Sequence, residues 1–404
     1  MNIELVRKLD YYLGVPLCFL GTMLKKLSAV VLPRRHHGRP QNILCIELSE
    51  MGSVILADPA MMKLKESLSA NLHFAIFRKN SPSLDFLNTV PKENIFNMGD
   101  AGLWDVAVGA VRFVFWVRSK HIDTVIDLEL FSRFTALLTG VSGAAQTVGF
   151  HPFFNDGLYR GDFLTHKVAY NPHQHISKNF LALVNALLSD NGETPYSKTV
   201  IRDEEVVLRK VAVSRGDRQA MLDKIRSAYP TLDAGRNRLI LLNTNASDLI
   251  PLRRWPQEYY ISLARRILEE YPTDVILLTG SPDERFAKET IVAAVGNERC
   301  LNFAGMTSLA ELTALYAVSS FMLTNDSGPA HFASVTDMPI FVLFGPETPA
   351  IYGPLGNMTP IYAGLACSPC VSATNHRKSA CNDNVCLQVI TVEQVFQILR
   401  PVLG

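Results

Sequence analysis

From about Pro40 onward, apolar residues alternate between short β-rich runs and longer amphipathic stretches. In the first half, the runs 43–48, 72–77 and 124–128 predict strands, and 59–68, 131–139 and 176–188 predict helices. In the second half, 239–242, 275–279, 321–323 and 340–344 predict strands, and 257–271, 283–295, 309–317 and 392–399 predict helices. This alternation predicts an α/β fold with a parallel sheet, built twice.

The length of the chain fits two such domains. A chain of 404 residues exceeds one ordinary hydrophobic core. A polar stretch at 190–195 contains several helix-breaking residues and separates the halves. We therefore predict an N-terminal segment 1–40, a first domain 41–200, a second domain 201–390 and a C-terminal helix 391–404.

The N-terminal segment contains an apolar run, 11–24, with basic residues on both sides. A membrane-spanning helix needs roughly 20 apolar residues, so this run is too short. Basic flanks around a short apolar helix are typical of an anchor that lies on an anionic lipid surface. The flanking residues are Arg7, Lys8, Lys25, Lys26, Arg34, Arg35 and Arg39. The alternatives are a helix that packs on the protein itself and an oligomer contact.

Composition narrows the class of protein. The net charge is +1, with 39 basic and 38 acidic residues, which gives no reason to expect nucleic acid as a partner. Hydrophobic residues make up 48% of the chain, which suits a globular enzyme that works at a membrane surface.

A polar turn after the apolar run 321–323 carries the strongest chemical signal. The sequence Asn-Asp-Ser-Gly at 325–328 ends a predicted strand and begins a predicted helix. Asp326 or Ser327 could cap that helix, and Gly328 lets a ligand approach the backbone, so the helix start is a candidate phosphate site. His331 lies on the first turn. The alternative is an ordinary β-to-α turn without a ligand.

The phrase TNDSGPAHFASVTDMPIFVLFGPETPAIYGPLG resembles the donor-site signature of the heptosyltransferases, glycosyltransferase family 9. The phrases at 43–59, 253–256 and 277–284 agree in the same order, so the resemblance spans roughly residues 42–403. It implies a GT-B fold, in which two Rossmann-like domains face a cleft. It also implies that the C-terminal helix crosses back to the first domain.

By resemblance, the second domain binds a nucleotide sugar. Arg253 stands where the family has a lysine that neutralises the diphosphate, and arginine keeps that charge. The resemblance also implies contacts to phosphate, nucleobase, ribose or sugar from Thr244, Asn245, Ser247, Gly280, Glu284, Asp326, Ser327, Gly328 and His331. A carboxylate at Glu284 would favour an adenine base.

The first domain departs from the family at its expected catalytic base. The family usually shows Gly-Asp-Val, and this chain has Gly52-Ser53-Val54. A serine hydroxyl does not accept a proton unaided at neutral pH. Three interpretations stay open: Glu50 is the base, another carboxylate is, or the protein binds without catalysis. Asp58 lies on the helix predicted to follow this turn, and its position along that helix makes it face elsewhere. For an anionic acceptor, the candidates are Arg133 and Arg160.

Four cysteines, Cys367, Cys370, Cys381 and Cys386, follow a C-x2-C-x10-C-x4-C spacing. In a reducing compartment such a cluster predicts a structural Zn or Fe site, with reduced thiols or disulfides as the alternative. A similar cysteine finger occurs in the autotransporter branch of the family. The transfer reaction itself is expected to need no cofactor.

These inferences together predict an inverting glycosyltransferase that moves a sugar, expected to be heptose from an ADP-linked donor, to a lipid-linked or lipopolysaccharide-type acceptor. The predicted location is cytoplasmic, on the inner face of the inner membrane. The alternatives are a protein heptosyltransferase of the autotransporter type and a non-catalytic binder of nucleotide sugars.

Overall fold

A computed structural model describes residues 3–31, 38–189, 192–247 and 250–403. Arg34 and Arg35 of the predicted basic flank lie outside these ranges. The chain divides into two compact units, unit 1 (Met1–Val207) and unit 2 (Leu208–Gly404). Sequence reasoning placed this division at 200/201.

Unit 1 is a six-stranded parallel sheet with helices on both faces. Its helices are α1 (Ile3–Tyr12), α2 (Gly14–Val31), α3 (Met51–Leu68), α4 (Leu103–Ser119), α5 (Arg133–Val141) and α6 (Ile176–Leu188). Its strands are β1 (Asn42–Ile46), β2 (Asn71–Phe77), β3 (Ile95–Met98), β4 (Thr124–Asp127), β5 (Gln146–His151) and β6 (His166–Ala169). The strand order is β3-β2-β1-β4-β5-β6, which puts the ends of β1 and β4 at the point where the order reverses.

Unit 2 repeats this plan with the strand order β12-β11-β10-β7-β8-β9, also in parallel. Its strands are β7 (Arg238–Asn243), β8 (Asp274–Leu278), β9 (Cys300–Asn302), β10 (Phe321–Asn325), β11 (Ile340–Phe344) and β12 (Met358–Tyr362). Its helices are α7 (Arg215–Ala228), α8 (Gln257–Glu270), α9 (Arg285–Val295), α10 (Leu312–Val318), α11 (Gly328–Ala333), α12 (Pro349–Tyr352), α13 (Val385–Gln388) and α14 (Val392–Leu403). The predicted α/β architecture of two Rossmann-like units is thus present.

The C-terminal helix α14 belongs to the core of unit 2. Its apolar face, which includes Phe396 and Leu399, packs with the buried residues of α8. Arg238 at the start of β7 pairs with Asp274, and its guanidinium donates to the Leu403 carbonyl at the helix end. The predicted crossing of this helix to the first domain stays a prediction.

The predicted N-terminal segment is occupied by α1 and α2. Helix α2 packs on α5, and Cys18 and Thr22 form part of its buried side. Within the described residues, every helix is too short or too polar to cross a lipid bilayer. The predicted attachment of this segment to a membrane surface is not tested by these contacts.

Candidate functional site

The turn between β10 and α11 is fixed by the side chain of Asn325, which is completely buried. Its Oδ1 accepts hydrogen bonds from the Trp255 backbone N–H at 2.9 Å and from the Tyr260 hydroxyl at 3.2 Å. Its Nδ2 donates to the Asn245 carbonyl at 3.3 Å. One amide therefore joins the loops that follow β7 and β10. Sequence reasoning did not single out Asn325, although it begins the Asn-Asp-Ser-Gly turn.

Beside this turn, Arg253 faces two buried carboxyl groups. Its Nη1 lies 3.6 Å from Asp326 Oδ2, which is longer than a hydrogen bond. Arg253 Nε and Asp326 Oδ2 are buried without a hydrogen-bond partner in the described part of the chain. Burial raises the pKa of Asp326, and Arg253 opposes that rise. Such unsatisfied polar atoms fit a site that a polar ligand completes.

The second carboxyl group belongs to Glu347, which sequence reasoning missed. Glu347 is only 3% exposed. Burial, reinforced by the neighbouring Asp326, raises the pKa of Glu347 well above its ordinary range, although Arg253 opposes this. A carboxyl group kept neutral can donate a hydrogen bond as well as accept one. The available signal was an acidic residue inside the Gly-Pro loop after β11.

A polar cavity of about 860 Å³ lies nearby in unit 2. Thr244, Asn245, Glu284 and Lys288 line it. Lys288 is 2% exposed, donates to Thr244 Oγ1 at 2.7 Å and lies 3.7 Å from Glu284 Oε2. Glu284 also accepts from Asn245 Nδ2 at 2.6 Å. The predicted residues Thr244, Asn245 and Glu284 thus lie together around Lys288. Sequence reasoning did not name this lysine, which lies four residues after Glu284 on the same helical stretch.

Gly280 leaves room for the Glu284 side chain. A Cβ atom at position 280 would lie 2.1 Å from Glu284 Oε2, closer than any normal contact. The glycine therefore makes room for the Glu284 side chain, and its predicted contact with the donor stays a prediction.

The remaining predicted donor residues lie on α11, at its start, or on the loop that follows β7. Ser327 occupies the position before α11, but its hydroxyl donates to the Asn325 carbonyl at 3.1 Å and makes no capping bond. The expectation that Ser327 caps the helix is wrong in this respect. Gly328 and Ser247 lie on the turns after β10 and β7, and His331 is buried on α11.

In unit 1, the turn from β1 to α3 brings Glu50 and Ser53 together. Ser53 Oγ donates to Glu50 Oε2 at 3.1 Å, and Glu50 is partly exposed. Glu129, which follows β4, accepts from the backbone N–H groups of Leu48 and Ser49 at 3.0 Å each. Glu129 therefore holds the turn. Asp58 is fully buried and accepts from Thr89, so it faces away as predicted.

Arg133 and Arg160 are engaged inside unit 1. Arg133 is 2% exposed and donates to Asp10 Oδ2 at 3.2 Å and to the Gly157 carbonyl at 2.7 Å. Arg160 is 3% exposed and pairs with Asp127. Burial raises the pKa of Asp127 to about 6, although Arg160 opposes that rise. Their predicted contacts to an acceptor stay predictions, and these internal partners give them no support.

The family profile described as glycosyltransferase family 9 (heptosyltransferase) matches residues 112–380, about two thirds of the chain. The chain belongs to glycosyltransferase family 9. The resemblance drawn from the donor-site motif is therefore confirmed, and with it the predicted enzyme class, glycosyltransferase.

Comparisons with individual proteins support the fold. Lipopolysaccharide heptosyltransferase 2 of Salmonella typhimurium is 36% identical over 110 residues, 26% of this chain and 31% of that protein. The chain thus matches about a third of the length of that relative. The structure of E. coli ADP-heptose lps heptosyltransferase II is 21% identical, covers 90% of this chain and 98% of that one, and superimposes with a TM-score of 0.68. E. coli heptosyltransferase WaaC with ADP is 16% identical over 90% of this chain and all of that one, with a TM-score of 0.62. The predicted GT-B-like fold is confirmed.

The four cysteines of this family 9 chain do not form a ligand set for a metal. In the described ranges, no group of three or more His, Cys, Asp or Glu side chains could hold a metal ion. Cys381 instead donates to Asp383 at 3.2 Å, and Cys370 accepts from Ser379 at 3.2 Å. Burial, reinforced by the other three thiols, raises the pKa of Cys386 to about 11. The predicted Zn or Fe site is therefore not supported, and all four cysteines are free thiols in the structure.

Proposed function

We propose that the protein is an inverting glycosyltransferase that transfers heptose from an ADP-linked donor to a lipopolysaccharide-type acceptor. Membership of family 9 supports sugar transfer, and the names of its relatives support heptose and lipopolysaccharide. The acceptor is lipid-linked, and the reaction takes place at the cytoplasmic face of the inner membrane. No cofactor takes part in the transfer.

The single observation that carries this proposal is the group of buried, incompletely satisfied polar atoms at Arg253 and Asp326. Arg253 holds the diphosphate, because a guanidinium can donate two parallel hydrogen bonds to phosphate oxygens. Asp326 and Glu347 bind hydroxyl groups of the donor sugar. A buried carboxyl pair suits hydroxyl groups better than phosphate, since a second anion there would be repelled.

The polar cavity receives the nucleoside part of the donor. Glu284 accepts hydrogen bonds from an amino group of the base or from ribose hydroxyls. Lys288 keeps Glu284 and Thr244 in position, since it contacts both. Gly280, Asn245 and Ser247 form the surrounding loops, and Ser327, Gly328 and His331 complete the wall near the phosphates.

The chemical step uses Glu50 as general base. Its carboxylate takes the proton of the acceptor hydroxyl while that oxygen attacks the donor C1 from the face opposite the diphosphate. The bond between C1 and the phosphate oxygen breaks, and Arg253 stabilises the charge on the departing diphosphate. Ser53 donates to Glu50 and keeps its carboxylate oriented toward the turn. This pair replaces the Asp that the family usually shows.

Ligand-induced stabilisation of the purified full chain tests the donor assignment. We expect ADP-sugars to raise the melting temperature more than UDP-, GDP- or CDP-sugars, because binding to the native state stabilises it. Arg253→Ala should abolish most of that shift. Arg226→Ala is the matched control, since Arg226 is a partly exposed arginine on α7 that pairs with Asp223. Absence of a shift with every nucleotide sugar would refute the donor site.

A further inference from the structure

Helix α2 presents its large apolar residues outward and its small residues inward. Gly14, Cys18 and Thr22, spaced four apart, form its buried side. Leu17, Leu20, Leu24 and Leu27, and Leu13 directly before the helix, are between 49% and 67% exposed. They repeat at the spacing of one helical face. On an ordinary surface helix the side that faces water is polar. The apolar outward side of α2 therefore indicates contact with an apolar partner.

Helix α4, which sequence reasoning did not predict, carries a second exposed apolar stripe. Trp104, Val108, Val111 and Phe115 follow each other at helical spacing. Trp104 is 81% exposed and Phe115 is 70% exposed. The inward side of α4 is also apolar, with Phe113 and Val117 buried in the core of unit 1. The outward stripe is therefore additional to what packing in unit 1 requires.

Both stripes lie on the same side of the sheet in unit 1. Helix α5 contacts α2 and also contacts α4. The connections β3-α4-β4 and β4-α5-β5 both run across the sheet in the direction of β6. Because such crossovers are right-handed, α4 and α5 lie on the same face of the sheet. Helices α3 and α6, which contact each other, cover the other face. Val141 on α5 is exposed as well, so α2, α5 and α4 form one side with an apolar surface, the helical face.

The charge on this side identifies the partner. Helices α2, α4 and α5 contain five basic residues and a single acidic residue, Asp105. The basic residues are Lys25, Lys26, Arg112, Arg118 and Arg133. Arg133 is buried and pairs with Asp10 of α1, so the other four carry the excess of positive charge. The whole chain is nearly balanced, at +1, so this excess is local. Exposed leucine and aromatic side chains among basic ones match a surface of lipid tails beneath anionic headgroups.

We propose that the helical face docks onto an anionic phospholipid bilayer, with the outward stripes of α2 and α4 entering the headgroup layer together. Amphipathic helices of this kind lie in the plane of the interface and do not cross it. Neither helix qualifies as a spanning segment. The inference deepens the membrane location in the proposed function and assigns it to two helices, one of them far from the N-terminus. Lipid binding needs no nucleotide sugar, so this proposal and the proposed reaction can fail separately.

Co-sedimentation of the full chain with vesicles tests the proposal. We expect binding to vesicles of phosphatidylcholine mixed with an equal amount of phosphatidylglycerol, and weaker binding to phosphatidylcholine alone. The double variant Val111→Glu/Phe115→Glu should bind the mixed vesicles at least about tenfold more weakly, since charges on the apolar stripe resist insertion. High salt should also weaken binding, because the basic residues contribute through screened attraction.

Val200→Glu is the matched control. Val200 is 85% exposed in unit 1, and the neighbouring Thr199 bonds to Asn185 on α6, which lies on the opposite face. This variant should bind like the wild type. Equal loss of binding in the control, or full binding by the α4 variant, would overturn the proposal. Circular dichroism of each variant establishes that it is folded.

Tryptophan fluorescence gives an independent readout. The chain has three tryptophans, and Trp104 is the exposed one, since Trp255 is buried and Trp116 is packed against Phe96. We expect a blue shift of the emission when mixed vesicles are added. Trp104→Phe should keep binding but lose the shift. If the helical face instead joins two copies, light scattering in lipid-free buffer will give a dimer that the α4 variant disrupts, and no blue shift will accompany vesicles.

Discussion

Glu50 and Ser53 lie on the same turn, and the hydrogen bond between them fits the two different chemical roles that we propose for them. A carboxylate can accept a proton at neutral pH, whereas a serine hydroxyl donates to it and fixes its orientation. The 3.1 Å contact between Ser53 Oγ and Glu50 Oε2 has this polarity. In the proposed mechanism, Glu50, three residues before Ser53, supplies the carboxylate that the family motif usually places at position 53.

Glu50→Gln tests this role directly. We expect kcat for sugar transfer to fall by about 10²–10⁴-fold, the usual contribution of a general base, while the donor affinity measured by calorimetry stays unchanged. Ser53→Ala should reduce kcat by a smaller factor. The control is Glu66→Gln, an exposed glutamate on the same helix α3. Wild-type turnover in Glu50→Gln would rule out Glu50 and direct attention to another carboxylate.

His73 on β2 makes the stability of unit 1 sensitive to acid. Both ring nitrogens are buried without a hydrogen-bond partner in the described residues, and the ring packs edge-on against Trp116. Burial, assisted by Lys120, lowers the pKa of His73 to about 4 from an ordinary value near 6.5. At a pH between these two pKa values, His73 is therefore protonated in the unfolded chain and neutral in the folded chain. This stabilising contribution is complete above pH 6.5 and is lost as the pH falls toward 4.

Urea unfolding at pH 7 and pH 5 measures this effect. When the pH falls from 7 to 5, protonation of His73 in the unfolded chain should lower the unfolding free energy of the wild type by about 2 kcal/mol. His73→Phe should remove that part of the acid sensitivity, because phenylalanine fills the site without titrating. The comparison isolates one group, since other titrating residues are common to both proteins. An equal loss in both proteins would show that His73 does not carry the effect.

At the scale of elements, the sequence predicted those segments whose ends are marked by local chemistry. Helix α6 has the predicted limits, 176–188, because the His175 side chain caps its first turn. Strand β11 also has its predicted limits, 340–344, between Pro339 and Gly345. The predicted helix start at Pro59 was wrong. Helix α3 begins at Met51 and contains Pro59 internally, because the packing of its buried face outweighs the cost of an internal proline.

Other elements escaped sequence reasoning for a physical reason. Helix α4 is apolar on both its inward and its outward side, so its sequence lacks the contrast between faces that marks an ordinary surface helix. Long-range partners were equally invisible. Arg133 is bound by Asp10, which lies 123 positions earlier, and no local pattern announces that pair. Family motifs pointed to the turn at 325–328 as the candidate donor site, but the burial of Glu347 and Lys288 needed the three-dimensional structure.

The loop between β8 and α9 depends on the glycine at position 280 to hold Glu284 in place. Gly280→Ala would push the Glu284 carboxylate away, because a Cβ there meets Glu284 Oε2 at 2.1 Å. The flexible end of Glu284 can move, so we expect little change in melting temperature. Donor affinity should fall about tenfold as Glu284 leaves its contacts with Asn245 and Lys288. Calorimetry with ADP measures this.

Gly216→Ala is the control for this substitution. Gly216 lies in the first turn of α7, where an added Cβ would lie 3.7 Å from Ser214 Oγ, an ordinary contact distance. Alanine favours the helix there, so stability should rise slightly without any change in ADP affinity. Unchanged ADP affinity in Gly280→Ala would separate Glu284 from nucleotide binding.

At the scale of the whole molecule, each unit has its own six-stranded sheet and its own buried core. The candidate donor residues all lie in unit 2, and the candidate base lies in unit 1. Units with separate cores can open and exchange separately. A ligand that contacts only one unit therefore stabilises that unit first, since stabilisation follows from binding to the native form of the contacted part.

Hydrogen exchange of the full chain, with and without ADP, tests this division. We expect ADP to slow exchange in peptides around Thr244, Glu284 and Asp326, because Lys288 and Asn325 link these loops to one another. Peptides from β1 and the start of α3 should exchange at unchanged rates, since they belong to unit 1. Arg253→Ala should weaken the protection and leave its location the same, because the role that we propose for Arg253 is to bind phosphate, whereas Lys288 and Asn325 hold the loops together. Protection confined to unit 1 would place the nucleotide in the other half of the molecule and reverse the assignment of donor and acceptor sides.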